Sequence, residues 1–329
     1  MLFVKDAFWA GRAGKIQLFA ILALCALLAV FPSALSEYRI IELATFLMYI
    51  IMSLSWTIFS GKAGYISLAT AAFYGVGCYM QAHLGSALPL PVVMVLAACA
   101  SFVFAALIGA VTLRLRGIYF TIFTFGLTLL LQNLVLWIEI KFFGTRGRMV
   151  IPYPFDYVYF CILAVLVVLI FTFILLKKSR FGLALDCIGQ NEDSAAHIGV
   201  DTTRVKILAF AVSAAPVGAV GAAMATRIGY IDSGSAFNML MSFMPVLMAI
   251  FGGMHSMWGT ITGAVLFTWL EIWLRQGYPE YYMIIFGIIL IVVIAFMPKG
   301  LAGGIEALQD RNRRRLLAQA QTPEGGMDE

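Results

Sequence analysis

Few residues in this chain have the types and spacing that covalent chemistry needs. It holds three histidines in 329 residues. No serine stands in a G-x-S-x-G elbow, and no H-E-x-x-H pair occurs to hold zinc. No G-x-x-x-x-G-K-[ST] phosphate loop occurs either; Gly14-Lys15 is followed by Ile16. The five cysteines, Cys25, Cys78, Cys99, Cys161 and Cys187, show no C-x-x-C spacing and read as small packing residues. Gln132, Asn133 and Glu271 lie within or beside apolar runs but do not form a spaced proton relay, and Glu271, near Arg275, reads as a solvated helix boundary. The chain is therefore not expected to be an enzyme or to carry a cofactor or metal. What it offers is mechanical: clusters of Gly, Ala, Ser and Thr, and one patterned polar loop.

The elements that would position these clusters follow from composition. Hydrophobic residues make up 62% and charged residues 12%, and the mean hydropathy is +0.94. Soluble domains carry roughly 25% charged residues, so lipid must solvate most of this chain. A helix crossing the hydrocarbon needs about 20 apolar residues. Ten runs qualify or nearly qualify: Ile16–Leu35, Ile40–Phe59, Gly64–Leu84, Leu88–Leu113, Ile118–Ile138, Tyr157–Leu176, Val205–Ile228, Phe237–Phe251, Trp258–Leu274 and Tyr282–Met297. The eighth and ninth are short and joined through Gly252-Gly253, so a re-entrant pair or a broken helix is an alternative there. The fold class is all-α: a polytopic transmembrane bundle of about ten helices.

Lysine and arginine placement orients the bundle. With the N-terminus inside and ten crossings, Lys62, Arg114, Arg116, Lys177, Lys178, Arg180, Arg204 and Lys206 fall inside with the basic residues of both ends. Arg39, Lys141, Arg146, Arg148, Arg227 and Arg275 fall outside. Both termini are thus expected in the cytoplasm. The formal net charge of +5 reflects these inner loops rather than a nucleic-acid partner. The first apolar run has a poor signal-peptide cleavage site and reads as a retained helix. Residues 1–308 form one membrane domain with a cytoplasmic loop at 177–206, and 309–329 a flexible cytosolic tail.

Four segments carry information. In the loop, Asn191-Glu192-Asp193 precedes Ser194-Ala195-Ala196 and Gly199. Acidic residues complement a helix N-terminus and glycine suits its stop, so a short helix is expected over about Asn191–Ile198. In Gly61–Tyr79, Ser67, Ala71 and Gly75 form a small-residue ladder that lets helices approach closely, and its glycines permit a broken helix beside a path. In Leu113–Phe125, Tyr119, Thr121 and Thr124 offer hydroxyls to such a path, or to their own helix backbone. The last is Leu247–Gly263, with Gly252, Gly253, Ser256, Gly259 and Gly263; its His255 reads as a packing residue.

Together these segments resemble the LivM-type permeases of the branched-chain amino acid ABC transporters. Glu192-x-x-Ala195-Ala196-x-x-Gly199 is similar to the EAA loop of ABC-importer permeases, and Lys206, Ala209 and Phe210 extend the likeness. Gly61, Gly64, Ser67, Leu68, Ala71, Ala72, Phe73, Gly75, Gly77 and Tyr79 match the second segment, with Ala69-Thr70 where the family often has Gly-His. Arg114, Arg116, Gly117, Tyr119, Phe120 and Thr124 match the third, and Pro298-Lys299-Gly300-Leu301 resembles the family's close.

The resemblance implies a membrane-spanning permease of an ATP-driven importer in the bacterial inner membrane. Its implied partners are a related second permease, two cytosolic ATPases that hold ATP and magnesium, a periplasmic solute-binding protein and the lipid bilayer. Asn191, Glu192, Ala195, Ala196 and Gly199 would couple to the ATPases. Ser67, Thr70, Ala71, Gly75, Gly77, Tyr119, Thr121 and Thr124 would line a path or pack helices. The solute would be a branched-chain amino acid or a related small amphipathic molecule. The alternative is a gradient-driven transporter or channel, a class that usually shows buried ionisable residues or an inverted repeat.

Overall fold

The computed structural model describes residues 36–254, 256–281, 284–285 and 287–288. The expected runs Ile16–Leu35 and Tyr282–Met297, His255, Pro298–Leu301, the tail and both termini lie outside these residues or almost entirely so. Helix α1 spans Glu37–Trp56 and runs on through a wider turn, Thr57–Gly61. Then come α2 Thr70–Leu84, α3 Leu90–Thr112, and α4 Ile118–Ile138, which continues through a second wide turn, Glu139–Phe143. Helix α5 spans Phe155–Lys178, α6 Arg180–Gln190, α7 Glu192–His197 and α8 Thr202–Ile228. The described chain closes with α9 Ser233–Ala236, α10 Leu240–Gly252 and α11 Met257–Gly277. Two short strands, β1 Arg148–Met149 and β2 Tyr230–Ile231, pair antiparallel.

Seven of these segments are long and apolar enough to cross a membrane: α1, α3, α4, α5, α8, α9 with α10, and α11. Helix α2, at 15 residues, is shorter. Around it lies the main departure from the expected spans. Residues 64–69 are not helical, so the run Gly64–Leu84 is an irregular segment followed by a shorter helix. The ladder from Ser67 through Ala71 to Gly75 is corrected accordingly, since Ser67 precedes the helix.

Helix α8 is the centre of the bundle, packed mainly on α2 and α3. Its Gly218, Gly221 and alanines let backbones approach closely. A Cβ on Gly77 would fall on the Gly218 carbonyl, and one on Gly221 would fall on the Tyr74 carbonyl. Gly75 meets the Phe237 ring instead. Helices α10 and α11 pack through Gly252 and Gly263 in the same way.

Side-chain contacts divide the basic residues between two ends. At one end Lys62 pairs with Asp186 at 2.8 Å, Arg116 with Asp193 at 3.0 Å, and Lys206 with Glu192 at 2.5 Å. At the other, Gln276 donates to Tyr38 and Glu42, Arg227 donates to Thr45, and Tyr230 donates to the Arg146 carbonyl. Helix α11 runs antiparallel to α1, from Thr260 beside Thr57 to Gln276 beside Tyr38. It therefore runs alongside most of the length of α1.

Candidate functional site: a polar loop joined to a broken membrane helix

The loop after α5 folds into two helices, not one. Ser179 caps α6 by accepting from the Gly182 amide at 3.1 Å, and Asn191 caps α7 by accepting from the Ser194 amide at 2.9 Å. Gly199, at φ +89°, ends the second helix, where the Val200 amide turns back to the Ala195 carbonyl at 3.1 Å. This is the left-handed stop that glycine supplies without a Cβ penalty. The expected helix over Asn191–Ile198 is therefore present, one residue shorter at each end, while α6 was not foreseen.

Helix α7 has two faces. Glu192 and Ala195 point into the protein. Ala196, His197, Ile198 and Gly199 are exposed, with Ile198 at 72%. On the inner face the Glu192 carboxylate accepts from Lys206 Nζ through one oxygen and from the Tyr65 hydroxyl through the other. Lys206 is only 3% exposed. Its ammonium also donates to the Leu113 carbonyl at 3.2 Å and lies 4.8 Å from the centre of the Tyr65 ring. Burial tends to raise the Glu192 pKa, but the Lys206 and Tyr65 hydrogen bonds outweigh it, so the carboxyl sits below the usual range.

Tyr65 opens the irregular segment. Gly64, at φ +73°, reverses the chain after α1, and residues 65–69 lead back into the bundle. Non-helical backbone at membrane depth must be satisfied by protein groups, since lipid offers none. Here side chains from three helices do so. Trp56 Nε1 donates to the Ser67 carbonyl at 2.8 Å, and Ser60 Oγ accepts from the Ser67 amide at 3.3 Å. Thr121 donates to the Ile66 carbonyl at 2.9 Å. Thr124 accepts from the Leu68 amide at 3.0 Å, and Thr128 donates to the Leu68 carbonyl at 3.3 Å. Ser242, on α10, accepts from the Ala71 amide at 3.2 Å. Thr70 and Ser67 help line a small cavity with Ser60, Ser213 and the rings of Trp56 and Phe210.

The structure thus brings together most of the residues singled out from sequence. Ser67, Thr70, Ala71, Thr121 and Thr124 meet around the break. Tyr119 does not; it is exposed on the outer face of α4. Gly75 and Gly77 lie further along α2, as packing contacts. Sequence reasoning missed Trp56, Ser60, Thr128 and Ser242 as clamps, and it missed Tyr65. Lys206 gave a usable signal: a lone lysine at the head of an apolar run is costly and calls for a partner.

Two buried carboxylates lie toward the other end. Glu271 binds Arg275 at 2.5 Å as the spacing suggested, but it is 4% exposed, so it is buried rather than solvated. Glu139, on the inner face of α4, accepts from the Tyr79 hydroxyl at 3.0 Å. Asn133 donates to its own helix at the Leu129 carbonyl. Among the described residues no cluster of His, Cys, Asp and Glu is arranged to hold a metal.

The sequence pattern of a family described as "Branched-chain amino acid transport system / permease component" matches residues 39–294. The high-affinity branched-chain amino acid transport system permease protein LivM of Escherichia coli K12 is 27% identical, over 88% of this chain and 76% of its own length. LivM of Salmonella typhimurium gives the same figures. A shorter likeness, 27% over 45% of this chain and 44% of the relative, joins it to the autoinducer 2 import system permease protein LsrC of Escherichia coli. No solved structure gives a significant match.

Proposed function

The chain belongs to the branched-chain amino acid transport permease family, and on that premise we propose that it is the membrane-spanning subunit of an ATP-driven importer for branched-chain amino acids or a related small amphipathic solute. Its setting in this reading is the bacterial inner membrane, with both termini and the 177–206 loop in the cytoplasm. A second, related permease completes the path, two ATPase subunits hold ATP and magnesium, and a periplasmic protein delivers the solute.

One observation carries the reading. The polar loop is not a mere connection but a folded pair of capped helices, and α7 presents an exposed edge of mixed character, Ala196 to Gly199 with Ile198 prominent, away from the bundle. Such an edge suits a cleft on a partner. In this mechanism ATP-driven closure of the ATPases pushes α7, and the push tilts the helices that α7 rests on. The break at residues 64–69, set among hydroxyls, is the place where tilting opens or closes a polar route. Broken helices lining a path are a recurring device of transporters. This chain itself makes and breaks no covalent bond.

The test is purification of the chain from its native membrane in mild detergent, with the co-purifying proteins identified. Two phosphate-loop ATPases and a second permease are expected. A lone, stable homo-oligomer that still transports in ATP-free vesicles would overturn the assignment. Binding assays on the co-purifying receptor, with leucine and with urea as probes, would then separate an amino-acid carrier from an amide carrier.

A further inference from the structure

Within the proposed importer, we infer that Glu192 is not an ATPase contact but the inner half of a latch, Glu192–Lys206–Tyr65, through which the docking helix moves the intramembrane break. The inference rests on the functional reading above, and it changes what the loop's acidic residue does.

The geometry divides α7 sharply. A residue that docks on a partner must present its side chain outward. Glu192 does the reverse, with both carboxylate oxygens engaged inside the chain, one by Lys206 and one by Tyr65. The outward edge is Ala196 to Gly199. One carboxylate therefore ties α7 to two elements at once: the first turns of α8 through Lys206, and the start of the broken segment through Tyr65.

Displacement of α7 reaches these two elements unequally. Lys206 sits on a long, buried helix and is further anchored by the Leu113 carbonyl. Tyr65 sits on irregular backbone, one residue after Gly64 and two before Ser67. Helical backbone resists local change because each peptide is held in an i→i−4 ladder. The 65–69 segment has no such ladder and is held by side-chain hydrogen bonds, which can exchange singly. A pull on the Tyr65 hydroxyl is thus converted into movement at Ser67-Leu68-Ala69, while α8 acts as the fixed post.

A second tie runs parallel to the first. Lys62, just before the break, binds both oxygens of Asp186 on α6 at 2.8 Å. A Cβ on Gly189 would fall on the Lys62 carbonyl, so the two backbones touch there. Helix α6 thus grips the near side of the Gly64 turn, and α7 grips the far side. The break is held at both shoulders by the loop.

The experiment uses the whole transporter purified with its ATPases. Hydrogen–deuterium exchange of the peptide around residues 64–69 is followed with and without ATP and orthovanadate, which trap the closed ATPases. In the native complex, exchange around 64–69 should change on trapping, together with exchange around 195–199. In Tyr65→Phe the hydroxyl is lost and the ring kept. The ATPases should still co-purify, the 195–199 response should persist, and the 64–69 response should shrink by about tenfold, the equivalent of one hydrogen bond to a charged group. Glu192→Gln should also keep the ATPases bound. Loss of the ATPases from Glu192→Gln would show that Glu192 is a docking contact and overturn the latch. So would an unchanged 64–69 response in Tyr65→Phe. Failure of the native chain to co-purify any ATPase would instead remove the importer reading itself, and the latch with it.

Discussion

Thr124→Val replaces a hydroxyl by a methyl of nearly the same size, and it isolates what holds the break in place. In the native chain the Thr124 oxygen accepts the Leu68 amide at 3.0 Å and donates to the Thr121 carbonyl at 3.0 Å. Valine fills the space but leaves the Leu68 N–H with no acceptor in a buried setting. An orphaned buried donor costs about 1–3 kcal/mol. That corresponds to a roughly 5- to 150-fold rise in the fraction of molecules with the segment released. Thr128→Val removes the donor to the Leu68 carbonyl of the neighbouring peptide unit, so the double variant should fall short of the sum of the two singles. The control is Thr172→Val, where an exposed hydroxyl bonds its own helix at the Val168 carbonyl. The assay is thermal unfolding in detergent together with amide exchange across residues 64–69. Thr124→Val should unfold at a lower temperature than Thr172→Val and exchange faster at the segment. Equal behaviour of the two, within about 0.5 kcal/mol, would refute the idea that α4 hydroxyls hold the non-helical backbone.

Three further outcomes are expected. Gly77→Ala drives a methyl onto the Gly218 carbonyl, a backbone atom, and should destabilise the bundle by about 1–3 kcal/mol; Gly75→Ala meets the Phe237 ring, a side chain rather than backbone, and should cost less in the same unfolding measurement. The Glu192 carboxyl has a folded pKa below its ordinary value, so its contribution to stability is fully present above the unfolded value of about 4.3 and is lost as pH falls through the lower folded value. The difference in unfolding temperature between the native chain and Glu192→Gln should therefore be flat around neutral pH and vanish in acid; a difference that vanishes on going to alkaline pH would contradict the assignment. For the orientation, Ser86→Cys should react with a membrane-impermeant maleimide on intact cells and Asp201→Cys only after permeabilisation, and the reverse pattern would invert the topology.

Composition and apolar run lengths are enough to identify a helical membrane protein, to place most of its crossings, and to say which basic residues share a side. These are local properties. The length of an apolar run must match the thickness of the hydrocarbon, and a helix satisfies its own backbone wherever it lies in lipid. The run Ile118–Ile138 emerged with its bounds unchanged for that reason. The caps at Asn191 and Gly199 were legible on similar grounds, since capping is settled within four or five residues. The break at 64–69 was not. Its glycines permitted a break, but the segment stays irregular only because Trp56, Thr121, Thr124 and Thr128 converge on it from other helices. Nor could the string of residues say which way Glu192 points. That depends on Lys206 and Tyr65, 14 and 127 positions away, meeting its two oxygens. A buried charge is tolerated only where such partners arrive, and only the packed bundle brings them there.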